Sequence, residues 1–115
     1  MEKTISAFFP ALNEEDSIVR LTEDLLAVLD SNFENREIII VNDGSTDRTG
    51  QIADELCDEH NGCVRVIHHQ QSQGYGNALR AGFTAAQYDL VFFTDGDHQF
   101  DMNDLPAALS LIDGN

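Results

Sequence analysis

Two hydrophobic rhythms alternate along the chain, short β-prone runs and longer stretches whose apolar residues recur every three or four positions. Ile5 to Phe9 is apolar and β-prone, stopped by Pro10. From Glu14 onward Ile18, Leu21, Leu25, Val28 and Leu29 fall at helical spacing. That predicts a helix capped by Asn13, with Glu14, Glu15 and Asp16 in its favourable first turn. Ile38-Ile39-Ile40-Val41 is an unbroken β-branched run, the pattern of a strand covered on both faces. Asn42 to Ser45 reads as a turn, and Thr46 to Glu59 as a second helix with Ser45 and Thr46 placed to cap it. Val64 to Ile67 is a third strand, and a polar loop from His68 to Gly74 leads into a third helix over Gly76 to Ala86. Leu90 to Phe93 is a fourth strand, and Leu105 to Ile112 a fourth helix with Asp101 as its cap.

Strand–helix repetition with short links predicts right-handed crossovers and a mainly parallel sheet between helices, a three-layer α/β/α, Rossmann-like architecture. Ligands of open α/β sheets bind beyond the carboxyl ends of the strands. The polar clusters fall there: Pro10 to Glu14, Asn42 to Asp47, Gln70 to Asn77 and Asp95 to Gln99. Each alone could be a turn; four on one edge of one sheet predict a site.

Charge and length narrow what that site can hold. At 115 residues the chain has room for one domain. Twenty-one acids against six bases give a formal charge of −15, which argues against nucleic acid and against a polybasic membrane contact. A phosphorylated small molecule would need a divalent cation, backbone N–H groups or an arginine. No apolar stretch approaches the roughly twenty residues of a spanning helix, and Met1-Glu2-Lys3 leads straight into strand-like sequence, so a cytoplasmic protein is expected. Cys57, His60 and Cys63 resemble a partial zinc set, but no fourth ligand stands at motif spacing. Cys57 is in helical register with Ile52, Ala53 and Leu56, which reads better as a small buried hydrophobe.

Among nucleotide folds, a P-loop is excluded because the only lysine is Lys3. A dinucleotide fingerprint has partial support. Gly74-Tyr75-Gly76 precedes a helix and Asp95 ends the next strand, but Leu79 stands at the third glycine position.

Three segments fit a different family in order and spacing: Phe9-Pro10-Ala11-Leu12-Asn13-Glu14-Glu15, Val41-Asn42-Asp43-Gly44-Ser45-Thr46-Asp47, and Asp95-Gly96-Asp97-His98-Gln99. Together they resemble the family 2 glycosyltransferases. Gly74 to Gly82, and the glutamine two places after Asp97, are similar to the branch of dolichyl- and undecaprenyl-phosphate sugar transferases. The resemblance implies an A-type glycosyltransferase fold whose first half binds a UDP- or GDP-sugar. It places Pro10, Ala11, Leu12, Glu14, Val41, Asp43, Thr94, Asp95 and Gly96 around the donor nucleotide. Peptide groups at Pro10, Ala11 and Leu12 can edge the nucleoside, and Glu14 can accept from ribose hydroxyls. Asp43 is by resemblance the acid that accepts an N–H of the base, though Asp43-Gly44 is also an ordinary Asx turn. Arg80 either balances diphosphate charge or is simply solvated. Tyr75 and Leu12 depart from a lysine and a tyrosine common in relatives, so no basic contact from the glycine loop and no ring contact at Leu12 carry over.

Asp95, Asp97 and Gln99 alternate in an extended stretch, so they can line one side of a cavity as ligands of Mg2+ or Mn2+. Gly96 lets the backbone come close. His68, His69 and His98 read as structural or incidental. The resemblance implies an inverting transfer whose general base and acceptor pocket lie beyond the donor half. The chain is therefore expected to be a fragment, inactive by itself, with polyprenyl phosphate or a saccharide as the parent's acceptor. Membrane contact is expected only through later segments, and self-association of the fragment through a face left uncovered. The competing readings are a non-catalytic nucleotide-binding or assembly module and a dinucleotide-binding domain.

Overall fold

A computed structural model describes residues 3–94. Seven elements alternate: β1 (Thr4–Ala11), α1 (Ile18–Asn32), β2 (Asn35–Asp43), α2 (Thr49–Glu59), β3 (Val64–His69), α3 (Tyr75–Ala85) and β4 (Val91–Phe93). The four strands are parallel in the order β3-β2-β1-β4. The predicted fourth helix and its Asp101 cap lie outside the described residues.

Alternation along each strand divides the core into two layers. Ile5, Ala7, Phe9 and Ala11 of β1, with Ile38 and Ile40 of β2, pack against Ile18, Leu21, Leu25 and Leu29 of α1 and Ala53 and Leu56 of α2. Phe8, Ile39 and Val41 face the other way, onto Ala78 of α3. This is the three-layer α/β/α arrangement that the strand–helix rhythm predicts. Ile38 to Val41 is fully buried, as an unbroken β-branched run should be when both faces are covered. Each such side chain removed from water contributes about 1.5–3 kcal/mol, and four consecutive ones make β2 the spine of the sheet.

Helix α2 starts at Thr49 rather than Thr46, and β2 and β3 extend to Asn35–Asp43 and Val64–His69; two further differences have a local reason. Pro10 does not stop β1; the strand runs to Ala11, with Pro10 opposite Val41. Ser6 N–H and Phe8 C=O bond toward β4, so the Pro10 nitrogen faces the same way, past the last β4 partner at Phe93. No ladder donor is needed there. Helix α1 starts at Ile18 rather than Glu14, and Asn13 does not cap it. Asn13 stands in the left-handed region at φ 56°, and the Glu14 carbonyl accepts from Ser17 and Ile18 N–H in a turn before the helix.

A buried carboxylate secures the amino end of the sheet. Glu37 is 2% exposed. Its oxygens accept from Ser6 Oγ (2.6 Å), Arg65 Nε (2.9 Å), Gln87 N–H (2.8 Å) and Gln87 Nε2 (2.9 Å). Arg65 also donates to the Ala85 carbonyl at the last turn of α3, 2.7 Å away. One acidic side chain thereby ties β1, β2, β3 and the α3–β4 connection. At Gly82 a Cβ would fall inside the Phe8 ring, so only glycine lets α3 approach β1 this closely.

Three outcomes are expected. Burial pushes the Glu37 carboxyl up, but hydrogen bonds from Ser6, Gln87 and Arg65 outweigh it and hold the group below its ordinary 4.5. A carboxyl depressed on folding contributes stability above the unfolded-state value and loses it as pH falls through the folded one. Acid denaturation of the wild type should therefore include a component below about pH 4.5 that Glu37→Gln lacks. At neutral pH the same variant should unfold about 2 kcal/mol more easily in urea, because a charged acceptor is lost. Gly82→Ala should lower the melting temperature, since overpacking against the Phe8 ring costs about 1–3 kcal/mol and outweighs the roughly 1 kcal/mol gained in helix propensity.

Candidate functional site

The carboxyl ends of β1, β2 and β3 carry three loops tied to one another by side chains. Ser45 Oγ accepts from Asn13 N–H (3.0 Å) and donates to the Ala11 carbonyl (3.4 Å). Asn13 Oδ1 accepts from Thr46 N–H (2.8 Å), Thr46 Oγ1 (3.3 Å) and Asp47 N–H (3.3 Å). Thr49 Oγ1 accepts from Glu14 N–H (2.8 Å) and donates to Asp47 Oδ1 (2.5 Å). Ser45 and Thr46 thus join the two loops instead of capping α2. The carboxylate serving the first turn of α2 belongs to Asp47, which accepts Thr49 N–H at 2.8 Å.

Asp43 ends β2 between these loops and is 4% exposed. Its Oδ1 accepts from His69 Nδ1 (2.9 Å) and Gln73 N–H (2.9 Å). Its Oδ2 accepts from Ser72 Oγ (2.9 Å) and Gly74 N–H (3.2 Å). Burial alone would raise the carboxyl, but these donors prevail and hold it below its ordinary 3.8, so the group is a carboxylate at neutral pH. His69 must then donate from Nδ1, because a carboxylate has only acceptors. Gly44 follows in the left-handed region at φ 76°. A Cβ there would meet Ser72 N and come within 2.7 Å of the Gln71 carbonyl carbon, so the β2–α2 turn lies directly against the β3–α3 loop.

The remaining expected residues fall around this centre. Pro10 pairs with Val41 and Ala11 with Asn42, which puts the first two segments side by side at the sheet edge. Val41 and Ala11 are buried, whereas Leu12 is 45% exposed. The Glu14 carboxylate accepts from Ser17 Oγ at 3.2 Å and is half-buried. Thr94 is buried just past β4, its N–H donating to the Phe8 carbonyl at 3.2 Å. Arg80 is exposed on α3 and is not brought to Asp43. Asp95, Gly96, Asp97, His98 and Gln99 lie outside the described residues. Among the described residues no three His, Cys, Asp or Glu side chains are grouped to hold a metal ion. Cys57 and Cys63 are free, half-buried thiols.

The histidines of β3 take the structural one of the two readings that the sequence left open. His69 is no bystander: it stands opposite Asp43 in the β2–β3 register. His68 links Asn42 Nδ2 (3.0 Å, to Nδ1) with Asp54 Oδ1 (2.8 Å, from Nε2). Asn42 Oδ1 in turn accepts Ser45 N–H, so this chain of contacts braces the Asp43 turn from its other side. Register between parallel strands was the missing information, and the sequence carries no signal for it.

Comparison with known proteins agrees with this architecture. The chain is 31% identical to an undecaprenyl-phosphate 4-deoxy-4-formamido-L-arabinose transferase of Edwardsiella ictaluri, over 95% of this chain and 34% of that protein. It is 34% identical to the dolichyl-phosphate beta-glucosyltransferase of Saccharomyces cerevisiae, over 95% and 35%. The chain therefore spans about a third of the length of these curated relatives. Among solved structures, glucosyl-3-phosphoglycerate synthase from Mycobacterium tuberculosis, in complex with Mn2+, UDP and glucosyl-3-phosphoglycerate, superposes with a TM-score of 0.69 at 28% identity. That match covers 96% of this chain and 39% of the other. The fold is that of the A-type nucleotide-sugar transferases. The family model described as glycosyl transferase family 2 matches residues 6–115, and the chain belongs to that family.

Proposed function

We propose that this chain supplies the donor- and metal-binding part of an inverting, metal-dependent glycosyltransferase that uses a UDP- or GDP-sugar. The observation that carries the reading is the Asp43 carboxylate. It is buried and ionised, and stands where three interlocked loops meet at the carboxyl edge of a parallel sheet. A fixed acceptor at that edge suits a nucleobase N–H. Pro10, Ala11 and Leu12 border the nucleoside, Glu14 accepts from the ribose, and Val41 and Thr94, both buried, belong to the same proposed nucleotide-binding set. Arg80, exposed on α3, would balance the diphosphate charge.

The chain leaves β4 at Thr94 on this same edge, so Asp95, Gly96, Asp97 and Gln99 follow directly from it. Two carboxylates and a carboxamide are the oxygen donors a hard divalent cation takes, and Asp95, Asp97 and Gln99 would hold Mg2+ or Mn2+. The cation would supply charge neutralisation to the departing nucleoside diphosphate. In a chain of net charge −15, that supply is what allows an anionic donor to approach. In the transfer itself an acceptor oxygen forms a bond to the anomeric carbon. The carbon–oxygen bond to the diphosphate breaks with inversion; a hydroxyl acceptor passes its proton to a base, whereas a phosphate acceptor attacks as the anion it already is. The relatives acting on undecaprenyl and dolichyl phosphate support a polyprenyl-phosphate acceptor, and hence a parent protein at the cytoplasmic face of a membrane. Among the described residues no helix is long and apolar enough to cross a membrane.

Thermal unfolding of the chain tests this reading. UDP or GDP together with Mn2+ should raise the melting temperature, by the amount expected for about 3 kcal/mol when ligand is at a hundred times its dissociation constant. Asp97→Ala should abolish the metal-dependent part of the shift. No shift with any nucleotide–metal pair would contradict the reading, and stabilisation by NAD without metal would favour a dinucleotide-binding domain. Asp43→Ala should remove nucleotide stabilisation and also lower the melting temperature of the ligand-free chain, because His69, Ser72, Gln73 and Gly74 lose their common acceptor.

A further inference from the structure

Each carboxylate oxygen of Asp43 already holds two hydrogen bonds. Oδ1 accepts from His69 Nδ1 and Gln73 N–H, and Oδ2 from Ser72 Oγ and Gly74 N–H. A carboxylate offers about four lone-pair sites, so none is left for an incoming N–H. A nucleobase that binds here must displace one of the four donors.

The four are not equally displaceable. Gln73 and Gly74 donate from the backbone, so they can release Asp43 only if the loop that packs against Gly44 moves as a whole. His69 donates from a ring whose side chain is only 11% exposed, held in β3 opposite Asp43. Ser72 lies in an exposed loop, and its hydroxyl leaves by rotation about a single bond. It withdraws with the backbone in place and without having to swing a nearly buried ring out of its packing.

From this asymmetry we infer that the Ser72 hydroxyl occupies the acceptor site of Asp43 that the donor nucleobase takes on binding, and that a single exchangeable site selects uracil over guanine. The inference rests on the preceding reading that Asp43 accepts a base N–H. Uracil offers one N–H, at N3, which matches one vacated lone pair. The guanine edge presents N1–H and an exocyclic amine together, and needs both carboxylate oxygens free. Oδ1 is held by His69 and Gln73, so guanine meets an acceptor that is half committed. Ser72 thereby sets how tightly the base is held, while His69 and Gln73, by holding Oδ1, set which base it is.

Calorimetric titration with UDP and with GDP, each in Mn2+, tests this on the 115-residue chain, on Ser72→Ala and on Asp43→Asn. The wild type should bind UDP more tightly than GDP. Ser72→Ala should bind UDP roughly three- to tenfold more tightly than the wild type, because the base no longer displaces a hydrogen bond to a charged acceptor. The diphosphate of N3-methyluridine, which has no base N–H, should show no such gain. In the ligand-free Ser72→Ala chain the Gln73 and Gly74 amides should keep their protection from hydrogen exchange. Unchanged or weaker UDP binding in Ser72→Ala, tighter binding of GDP than UDP, an equal gain with the N3-methyl analogue, or loss of amide protection would each overturn the inference. Wild-type binding that survives Asp43→Asn, or no nucleotide binding at all, removes the reading on which it rests and the inference with it.

Discussion

Two carboxylates on one face of β2 hold α3 at both of its ends. Positions 37, 39, 41 and 43 alternate toward α3, and the run is acid–apolar–apolar–acid: Glu37, Ile39, Val41, Asp43. Six residues of strand span about 20 Å, and the eleven residues of α3 about 16 Å, so the helix fits between the two acids. Asp43 takes the N–H groups of Gln73 and Gly74 at the positive end of the helix. Glu37 holds Arg65, which donates to the Ala85 carbonyl at the negative end. Both contacts agree with the helix dipole. Between them, Ile39 and Val41 supply the apolar contact, and Gly82 allows the close approach to Phe8.

This arrangement explains why the two acids differ in consequence. Glu37 sits at the amino end of the sheet, among donors supplied wholly by its own chain, and serves the fold. Asp43 sits at the carboxyl end, where strands of an open parallel sheet meet their ligands. There its partners include one exposed hydroxyl on a loop. The same chemistry, a buried carboxylate surrounded by donors, is closed at one end of the strand and open to exchange at the other. Membership of glycosyl transferase family 2 supports the proposal that a nucleotide-sugar binds at the open end.

The sheet and its helices were legible because their cause is local. An unbroken Ile-Ile-Ile-Val run has one comfortable environment, and Ile18, Leu21, Leu25 and Leu29 make one helical stripe. The interlocking of the loops was not legible. Asn13 is a good helix cap in sequence, yet its carboxamide turns to Thr46 and Asp47, thirty-three and thirty-four residues away. Asp43 could be singled out by its motif, but its partners could not. His69 comes opposite it only through the parallel register, and Ser72 only because Gly44 lets two loops touch. Long-range geometry of this kind follows from topology, which a one-dimensional pattern does not contain.

The central claim is that the carboxyl edge around Asp43 is where this chain meets a nucleotide. Backbone chemical-shift mapping with UDP and Mg2+ tests it most directly, because the acidic groove at the other end of the sheet, lined by Glu23, Asp30, Glu59 and His60, serves as an internal control. The account predicts saturable shifts concentrated at residues 11–14, 43–46 and 71–75, with the groove unmoved. Shifts centred on Glu23 and His60, or none that saturate, would contradict it.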